Sequence, residues 1–296
     1  MQVVLARSAG YCWGVKRAVD RVLDAVEDYQ GPRDRMGSLG PLIHNKQGLQ
    51  QITDTGVRVV DDPSQVEGGM LILRTHGATP ELREELRRRD LKLVDCTCPH
   101  VGRIQGLVRR HHLRGDHVVI IGDRKHAEVI GLVGYAQGQA SVIDSVEDVA
   151  HLKENGPVAV VCQSTHDRGT FEAITKAISE RFPQVTILDT LCDVTDERQQ
   201  ELVQMAPDLD AMVVIGGRNG ANTRRMAQLA EDAGLRTFHI ETEDELAALD
   251  LSGIDRVGVT AGASTPEWVI RNVVEALRSC PPSPSPAPCS NSSARR

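Results

Sequence analysis

Short apolar runs alternate with amphipathic stretches along most of the chain. M-L-I-L at 70–73 and V-A-V-V-C at 158–162 are apolar throughout, and each is followed by a stretch of helical period, at 80–89 and 171–182 respectively. This alternation predicts α/β architecture with mostly parallel sheets and flanking helices. Ligands of open α/β sheets bind beyond the carboxyl ends of the strands, so polar residues at those ends are the first candidates for a site.

Three segments repeat one plan: an apolar strand, a short turn, a cysteine and then a helix. They are V-V-L-A-R-S-A-G-Y-C ending at Cys12, L-K-L-V-D-C-T-C ending at Cys98, and V-T-I-L-D-T-L-C ending at Cys192. The recurrence predicts three α/β units whose cysteines meet on a central axis. Cys12 must reach the same axis as Cys192, so we expect the first strand to join the last unit. The expected domains are 14–97, 98–191, and 1–13 together with 192–280.

Composition and charge narrow the class of protein. The 296 residues are 40% hydrophobic and 25% charged, with a net charge of -7 and scattered Lys and Arg, which disfavours nucleic acid as a partner. Apolar runs are strand-sized, and no signal-like segment opens the chain, so we expect a cytoplasmic protein without a membrane span. Residues 281–296 are rich in Pro and Ser and are expected to form a disordered tail, with Cys280 and Cys289 as bystanders.

The cysteines point to metal chemistry. Seven cysteines without a secretory signal favour free thiols over a disulfide framework. A cysteine at a helix start has its thiolate stabilised by the helix dipole, and three thiolates suit zinc or an iron–sulfur cluster. Structural zinc normally takes four ligands from C-x-x-C-like pairs, which are absent here. Three thiolates on a four-iron cluster would leave one iron open to substrate. Three unrelated core cysteines remain the alternative.

Polar residues also stand at expected strand ends: His44, His76, His126, Glu128, Ser164, Thr165, Asn222 and Ser264. Each is a weak signal alone, and a lone loop histidine, such as His100, is more often on the surface. The small-residue loops at 216–223 and 261–266 enter helices and are candidate anion sites, because backbone N–H groups and the helix dipole favour phosphate there. Ordinary capped helix starts would look the same.

Two other enzyme classes are disfavoured. H-A-E at 126–128 matches the H-x-E of zinc nucleobase deaminases, but no P-C-x-x-C follows. Neither G-x-G-x-x-G nor G-x-x-x-x-G-K-[ST] occurs, so nicotinamide and nucleoside triphosphate sites are not indicated. Electrons, if used, must come from another protein.

Together these motifs resemble the LytB (IspH) family of 4-hydroxy-3-methylbut-2-enyl diphosphate reductases. The resemblance runs from residue 1 to about 280 through A-G-Y-C-W-G-V-K-R-A-V (9–19), L-I-H-N (42–45), T-H-G (75–77), D-C-T-C-P (95–99), H-A-E-V (126–129), L-C-D-V-T (191–195) and V-T-A-G-A-S-T-P (259–266). It implies a three-domain trefoil around one 4Fe-4S cluster. The cluster ligands would be Cys12, Cys98 and Cys192, whereas Cys96 would be a small buried neighbour.

The resemblance also implies residue roles. The substrate hydroxyl would bind the open iron, and the diphosphate would be held by His44, His76, Asn222 and Ser264. His126 would line the pocket, Glu128 would supply the proton, and Ser164 and Thr165 would relay it. Hydroxide leaves poorly, so coordination plus protonation turns it into water. The products would be isopentenyl and dimethylallyl diphosphate, and the electron donor a ferredoxin or flavodoxin.

One loop departs from the family pattern. Gly220-Ala221 stands where the family usually has Ser-Ser, although the glycine backbone can approach the diphosphate and Thr223 offers a hydroxyl. Each lost neutral donor should cost roughly 0.5–1.5 kcal/mol of binding. Two alternatives stay open: a three-cysteine cluster enzyme acting on another anionic substrate, in the manner of quinolinate synthase, or a non-catalytic iron–sulfur or zinc sensor. A sensor would need a fourth ligand, for which the candidate is Cys96.

Overall fold

The computed structural model describes residues 1–153, 156–218 and 220–279. The expected tail, with Cys280 and Cys289, lies outside the described residues. The strands are β1 Gln2–Leu5, β2 Met36–Leu39, β3 Arg58–Val60, β4 Met70–Leu73, β5 Lys92–Asp95, β6 His117–Ile121, β7 Ser141–Ile143, β8 Val158–Cys162, β9 Val185–Ile187, β10 Ala211–Ile215, β11 Arg236–Ile240 and β12 Arg256–Ala261. The helices are α1 Trp13–Glu27, α2 Lys46–Thr53, α3 Pro80–Arg88, α4 Pro99–Leu113, α5 Ala127–Tyr135, α6 Arg168–Arg181, α7 Asp193–Met205, α8 Ala221–Asp232 and α9 Glu267–Ser279.

The strands form three sheets of four, and every neighbouring pair is parallel. Their orders are β1-β12-β10-β11, β5-β4-β2-β3 and β9-β8-β6-β7. The predicted architecture of three parallel α/β units is therefore confirmed. The first strand pairs with β12, with Val3 opposite Val257, whereas the exact domain borders stay a prediction.

The central strands are buried on both faces, as their continuous apolar sequences predict. In β10, Val213 packs into a core with Val273 of α9, whereas Val214 packs into a second core with Met226 of α8. Each sheet is covered by helices on both sides in this way, which is the usual setting of an all-parallel sheet. Within the described residues, no helix is long and apolar enough to cross a membrane.

The three sheets also share a turn. Gly40, Gly122 and Gly216 follow β2, β6 and β10, with φ of +73°, +155° and +147°. Their amide N–H groups donate to the carbonyl oxygens at the ends of the neighbouring outer strands, Val60, Ile143 and Ile240. Glycine adopts such φ values without steric cost. The repeated turn leads the chain towards the starts of α2, α5 and α8, where three of the predicted site segments lie.

Candidate active site

One cavity of about 160 Å³ collects most of the predicted site residues. Its lining includes Cys12, Cys98, Cys192, His44, His76, His126, Glu128, Ser164, Thr165, Asn222 and Ser264. Gly220 and Ala221 begin α8 immediately before Asn222. Gly220 lies just behind the lining, because a Cβ atom placed there would be 3.1 Å from Oγ1 of Thr223 and 3.7 Å from the carbonyl oxygen of His44.

The three cysteines share one local structure. Each is the N-cap residue of its helix, Cys12 of α1, Cys98 of α4 and Cys192 of α7. Their amide N–H groups donate to carbonyl oxygens two residues beyond the ends of β12, β4 and β8, those of Ala263 (3.1 Å), Thr75 (2.9 Å) and Ser164 (2.8 Å). The positive ends of three helix dipoles therefore lie at the three cysteines. We call these three cysteines the thiol wall.

The thiol wall fits a soft metal group. A Cβ atom on Gly14 would lie 2.8 Å from Sγ of Cys98 and 3.9 Å from Sγ of Cys12, so a residue without a side chain keeps the space beside them open. Burial raises the pKa of Cys98, backbone N–H groups oppose this, and the charges of Cys12 and Cys192 raise it further. A metal group bound by all three sulfurs would relieve the repulsion between their negative charges. Sulfur donors of this kind select zinc or iron–sulfur clusters.

Cys96 does not belong to this wall. Its side chain is fully buried in a core with Ala18 and Val94, and its Sγ lies 3.7 Å from the carbonyl oxygen of Ala18. Burial raises its pKa to about 12. The prediction of a small buried neighbour is confirmed. Cys162 is likewise fully buried in β8, and burial raises its pKa.

Three histidines form another part of the cavity lining. The ring centroids of His44 and His76 are 4.8 Å apart, those of His76 and His126 are 5.2 Å apart, and those of His44 and His126 are 6.2 Å apart. Burial lowers the pKa of all three. The charge of Arg74 adds to this at His44, the charges of His44, His126 and Arg74 add to it at His76, and those of His44 and Arg74 add to it at His126, where Asp123 opposes them. The rings are therefore neutral hydrogen-bond donors, which an anionic ligand would help to protonate.

The same three rings have the spacing of a metal site, because one nitrogen from each lies within 4.8 Å of the others. Arg74 nevertheless gives this region positive charge, which disfavours a cation. Nδ1 of His126 accepts the amide N–H of Glu128 at 3.2 Å, so the proton of its neutral ring is on Nε2. Nδ1 of His76 is buried without a partner among the described residues. Both rings thus keep hydrogen-bonding capacity for a ligand.

Glu128 is a buried carboxyl group held by Ser164. Its side chain is 2% exposed, Oε1 accepts the Ser164 amide at 2.7 Å, and Oε2 accepts the Ser164 hydroxyl at 2.7 Å. Burial raises the pKa of Glu128, while the two Ser164 donors and the charge of His100 oppose that rise. A carboxyl group with a raised pKa is protonated closer to neutral pH, as a general acid requires.

The start of α8 has unused hydrogen-bonding groups. Asn222 is 8% exposed, and neither its Oδ1 nor its Nδ2 has a partner among the described residues. Gly220 provides no side-chain cap, so the first amide N–H groups of α8 have no capping side chain. Ser264 closes this region by donating from Oγ to the carbonyl oxygen of His44 at 3.4 Å. Together these groups are suited to an anion. The histidines, Asn222 and Ser264 are called the polar wall.

Sequence reasoning missed several lining residues. His100 lines the cavity, and its Nε2 donates to the carbonyl oxygen of Thr190 at 2.8 Å, so its expected surface position was wrong. Thr195 also lines the cavity. Both stand two or three residues after a wall cysteine, in the first turn of its helix. The predicted helix starts at Cys98 and Cys192 were the signal that would have found them.

Comparison with known proteins agrees with this geometry. A family model described as LytB protein matches residues 3–278. Two relatives named 4-hydroxy-3-methylbut-2-enyl diphosphate reductase come from Geobacter sulfurreducens and Aquifex aeolicus. The first is 41% identical over 278 residues, covering 94% of this chain and 97% of the relative. The second is 36% identical over 276 residues, covering 92% and 94%.

Solved structures agree as well. A structure of (E)-4-hydroxy-3-methyl-but-2-enyl diphosphate reductase, described as the terminal enzyme of the non-mevalonate pathway, is 34% identical with a TM-score of 0.74, covering 95% of this chain and 100% of the other. The E-1-hydroxy-2-methyl-but-2-enyl-4-diphosphate reductase of Plasmodium falciparum has the same fold, with a TM-score of 0.87 at 24% identity and coverage of 95% and 89%. The family model and these relatives span nearly the whole chain, which therefore belongs to the LytB protein family.

Proposed function

We propose that this protein reduces 4-hydroxy-3-methylbut-2-enyl diphosphate to isopentenyl and dimethylallyl diphosphate, the last step of the non-mevalonate route to isoprenoids. The observation that carries the proposal is a single cavity lined by three helix-capping thiols, by histidine, asparagine and serine side chains suited to an anion, and by a buried carboxyl group. Family membership and the names of the relatives support the same activity.

Membership of the family implies an iron–sulfur cofactor, and the donor set of this cavity suits one. We infer one 4Fe-4S cluster held by Cys12, Cys98 and Cys192. When bound, such a group passes electrons singly from an external donor and provides a Lewis-acidic iron for the substrate hydroxyl. The remaining chemistry belongs to the residues of the chain.

The polar wall binds and orients the diphosphate. His44 and His76 donate from neutral rings, the amide of Asn222 donates from Nδ2, and Ser264 turns its hydroxyl from the carbonyl oxygen of His44 towards the ligand. Backbone N–H groups at the start of α8 add the favourable end of the helix dipole. With the diphosphate fixed there, the hydroxyl end of the substrate is directed across the cavity towards the thiol wall.

Glu128 supplies the proton that converts the leaving hydroxyl into water. The reaction consumes two electrons and two protons, one proton for the departing water and one for either end of the allylic carbon skeleton. Ser164 holds both carboxyl oxygens of Glu128, so it positions the acid and relays a proton to it. Thr165 lines the cavity beside Ser164 and extends that relay, while His126 borders the same space from the N-cap position of α5.

The electron donor is an external protein of the ferredoxin or flavodoxin type, and the reaction takes place in the cytoplasm. A sensor with four protein ligands is disfavoured because Cys96, its candidate fourth ligand, is packed in a separate core. A cluster enzyme for another anionic substrate has no observation in its favour.

The test is an anaerobic assay of the reconstituted protein. The protein is loaded with iron and sulfide, given 4-hydroxy-3-methylbut-2-enyl diphosphate and dithionite, and both products are quantified by mass spectrometry. Formation of both products is expected, together with their loss in Glu128→Gln. A protein that binds a reducible cluster but yields neither product would contradict the proposal and point to another anionic substrate.

A further inference from the structure

A buried arginine lies behind the thiol wall. Arg198 in α7 is 3% exposed and lies six residues beyond Cys192. One terminal nitrogen donates to the carbonyl oxygen of Ala261 at 3.0 Å, and the other donates to the carbonyl oxygen of Gly10 at 2.8 Å. Its Nε is buried without a partner among the described residues. The guanidinium is thus fixed by two neutral acceptors.

Arg198 has no carboxylate within ion-pair distance in the part of the chain that the structure describes. Two other arginines differ in this respect, since Arg83 pairs with Asp95, and Arg168 pairs with Asp189 and Asp196. A buried cation without a counter-ion is costly. The position of Arg198 therefore calls for a negative charge from another source.

The thiol wall is that source. Burial lowers the pKa of Arg198, and the charges that oppose this are, in order, those of Cys12, Cys192, Glu201 and Glu197. Glu201 is already engaged by Arg7 and Ser8.

The two carbonyl groups that hold Arg198 lie close to the thiol wall along the chain. Gly10 stands two residues before Cys12, and Ala261 stands two residues before Ala263, whose carbonyl oxygen holds the amide of Cys12. Arg198 is not among the described residues that line the cavity, so it acts from behind the wall and does not touch the substrate.

We infer that Arg198 is a positioning residue whose fixed positive charge offsets the negative charge of an iron–sulfur group on Cys12 and Cys192 and makes its one-electron reduction more favourable. This inference rests on the proposed function. Reduction adds one electron from an external reductant and no proton, so the local negative charge grows by one. A nearby permanent cation stabilises the reduced form more than the oxidised form.

The test compares reduction potentials of anaerobically reconstituted variants by mediated redox titration with dithionite. Arg198→Met removes the charge, and Arg198→Lys keeps it. Arg236→Met is the matched control, because it removes the same charge from a guanidinium at the start of β11, where it pairs with Asp250. Iron content and thermal stability are measured for each variant.

We expect reduction of Arg198→Met to be at least tenfold less favourable, about 59 mV for a one-electron couple, with Arg198→Lys and Arg236→Met within about threefold of the original protein. Loss of the two hydrogen bonds alone would lower stability without this charge-dependent pattern. An unchanged potential in loaded Arg198→Met, or an equal shift in Arg198→Lys, would overturn the inference.

The iron content of each variant separates the remaining outcomes. If Arg198→Met takes up no iron, the Arg198→Lys variant settles the question. A Lys variant that binds the cluster with a potential close to that of the original protein supports the role of the positive charge. A Lys variant that also takes up no iron overturns the inference. An original protein that binds no iron–sulfur group would contradict both this inference and the proposed function. An original protein that forms both products, with an unshifted Met variant, would contradict this inference alone.

Discussion

The two walls of the cavity are built on the same threefold backbone plan but use it differently. On the thiol wall, three equivalent strand-to-helix connections end in the same residue type at the same N-cap position. Outside the thiol wall, the lining residues that follow the three carbonyl groups holding the cysteines differ: Ser264 and His76 of the polar wall, and Thr165. A metal group with three equivalent ligands suits three identical residues. An asymmetric substrate instead needs different side chains around its different parts.

The helix starts of the polar wall diverge in position as well. His44 precedes the N-cap of α2, His126 is itself the N-cap of α5, and Asn222 is the second residue of α8. The backbone connections therefore repeat, while the functional side chains occupy different positions relative to each helix start. Changes to the thiol wall should abolish the cofactor, and changes to the polar wall should act on affinity or proton transfer.

The largest effect is expected from the two cysteines that stand one residue apart. Cys98→Ser should lose the iron–sulfur absorbance and all turnover, because the cavity keeps two thiols. Cys96→Ala should keep both, because its thiol is buried in a separate core. Absorbance spectra and iron analysis after anaerobic reconstitution measure the difference. The reverse pattern would overturn the assignment of the wall.

Glu128→Gln should keep the cluster and substrate binding but lose about 10²–10⁴-fold in turnover, the usual contribution of a general acid. Turnover of the original protein should fall as pH rises through the raised pKa of Glu128, because the acid then loses its proton.

Ser164→Ala sharpens this test. The Ser164 hydroxyl opposes the rise in the pKa of Glu128, so its removal should move the fall in turnover to higher pH. A pH profile of kcat for each protein checks the direction. Near-normal turnover in Glu128→Gln, or a shift to lower pH in Ser164→Ala, would remove this acid from the account.

Asn222→Leu should weaken substrate binding about 10-fold to 100-fold, the value of a hydrogen bond of about 1.5–3 kcal/mol to a charged group. Stability without substrate should stay equal or rise, because the amide is buried and neither of its ends has a partner among the residues that the structure describes. Asn272→Leu in α9 is a matched control. It removes a hydrogen bond that the Asn272 amide donates to Glu243, so it should lower stability and leave substrate affinity unchanged. Calorimetric binding and thermal unfolding measure both. Equal affinity in Asn222→Leu would contradict the role of the polar wall.

The smallest effect is expected from Gly220→Ser, which should tighten substrate binding about two- to tenfold through one neutral donor of about 0.5–1.5 kcal/mol. A φ of -75° admits serine, although its Cβ would sit 3.1 Å from Oγ1 of Thr223. Gly106→Ser, which adds a hydroxyl in open space on α4, is the control. Unchanged affinity would mean that the loop already compensates for its missing hydroxyl groups.

The sequence predicted the parts of this molecule that depend on local patterns. Apolar runs and amphipathic stretches located β4, α3, β8 and α6, and the repeated turn before a cysteine located all three helix starts. What it missed depends on contacts between distant segments. The buried guanidinium of Arg198 reaches Gly10 across 188 residues, and the pairing of Ser164 with Glu128 joins the loop after β8 to the start of α5 across 36 residues. Assignment of these residues from sequence relied on resemblance, and Arg198 gave no signal at all.

The central claim is that three cysteines hold a four-iron group and leave one iron free to meet the substrate. Mössbauer spectroscopy of the protein reconstituted with ⁵⁷Fe, recorded without and with 4-hydroxy-3-methylbut-2-enyl diphosphate, tests it directly. The account predicts one iron in four that differs from the rest and changes when substrate is added. Four iron signals that are all typical of thiolate coordination and do not change when substrate is added would contradict the claim.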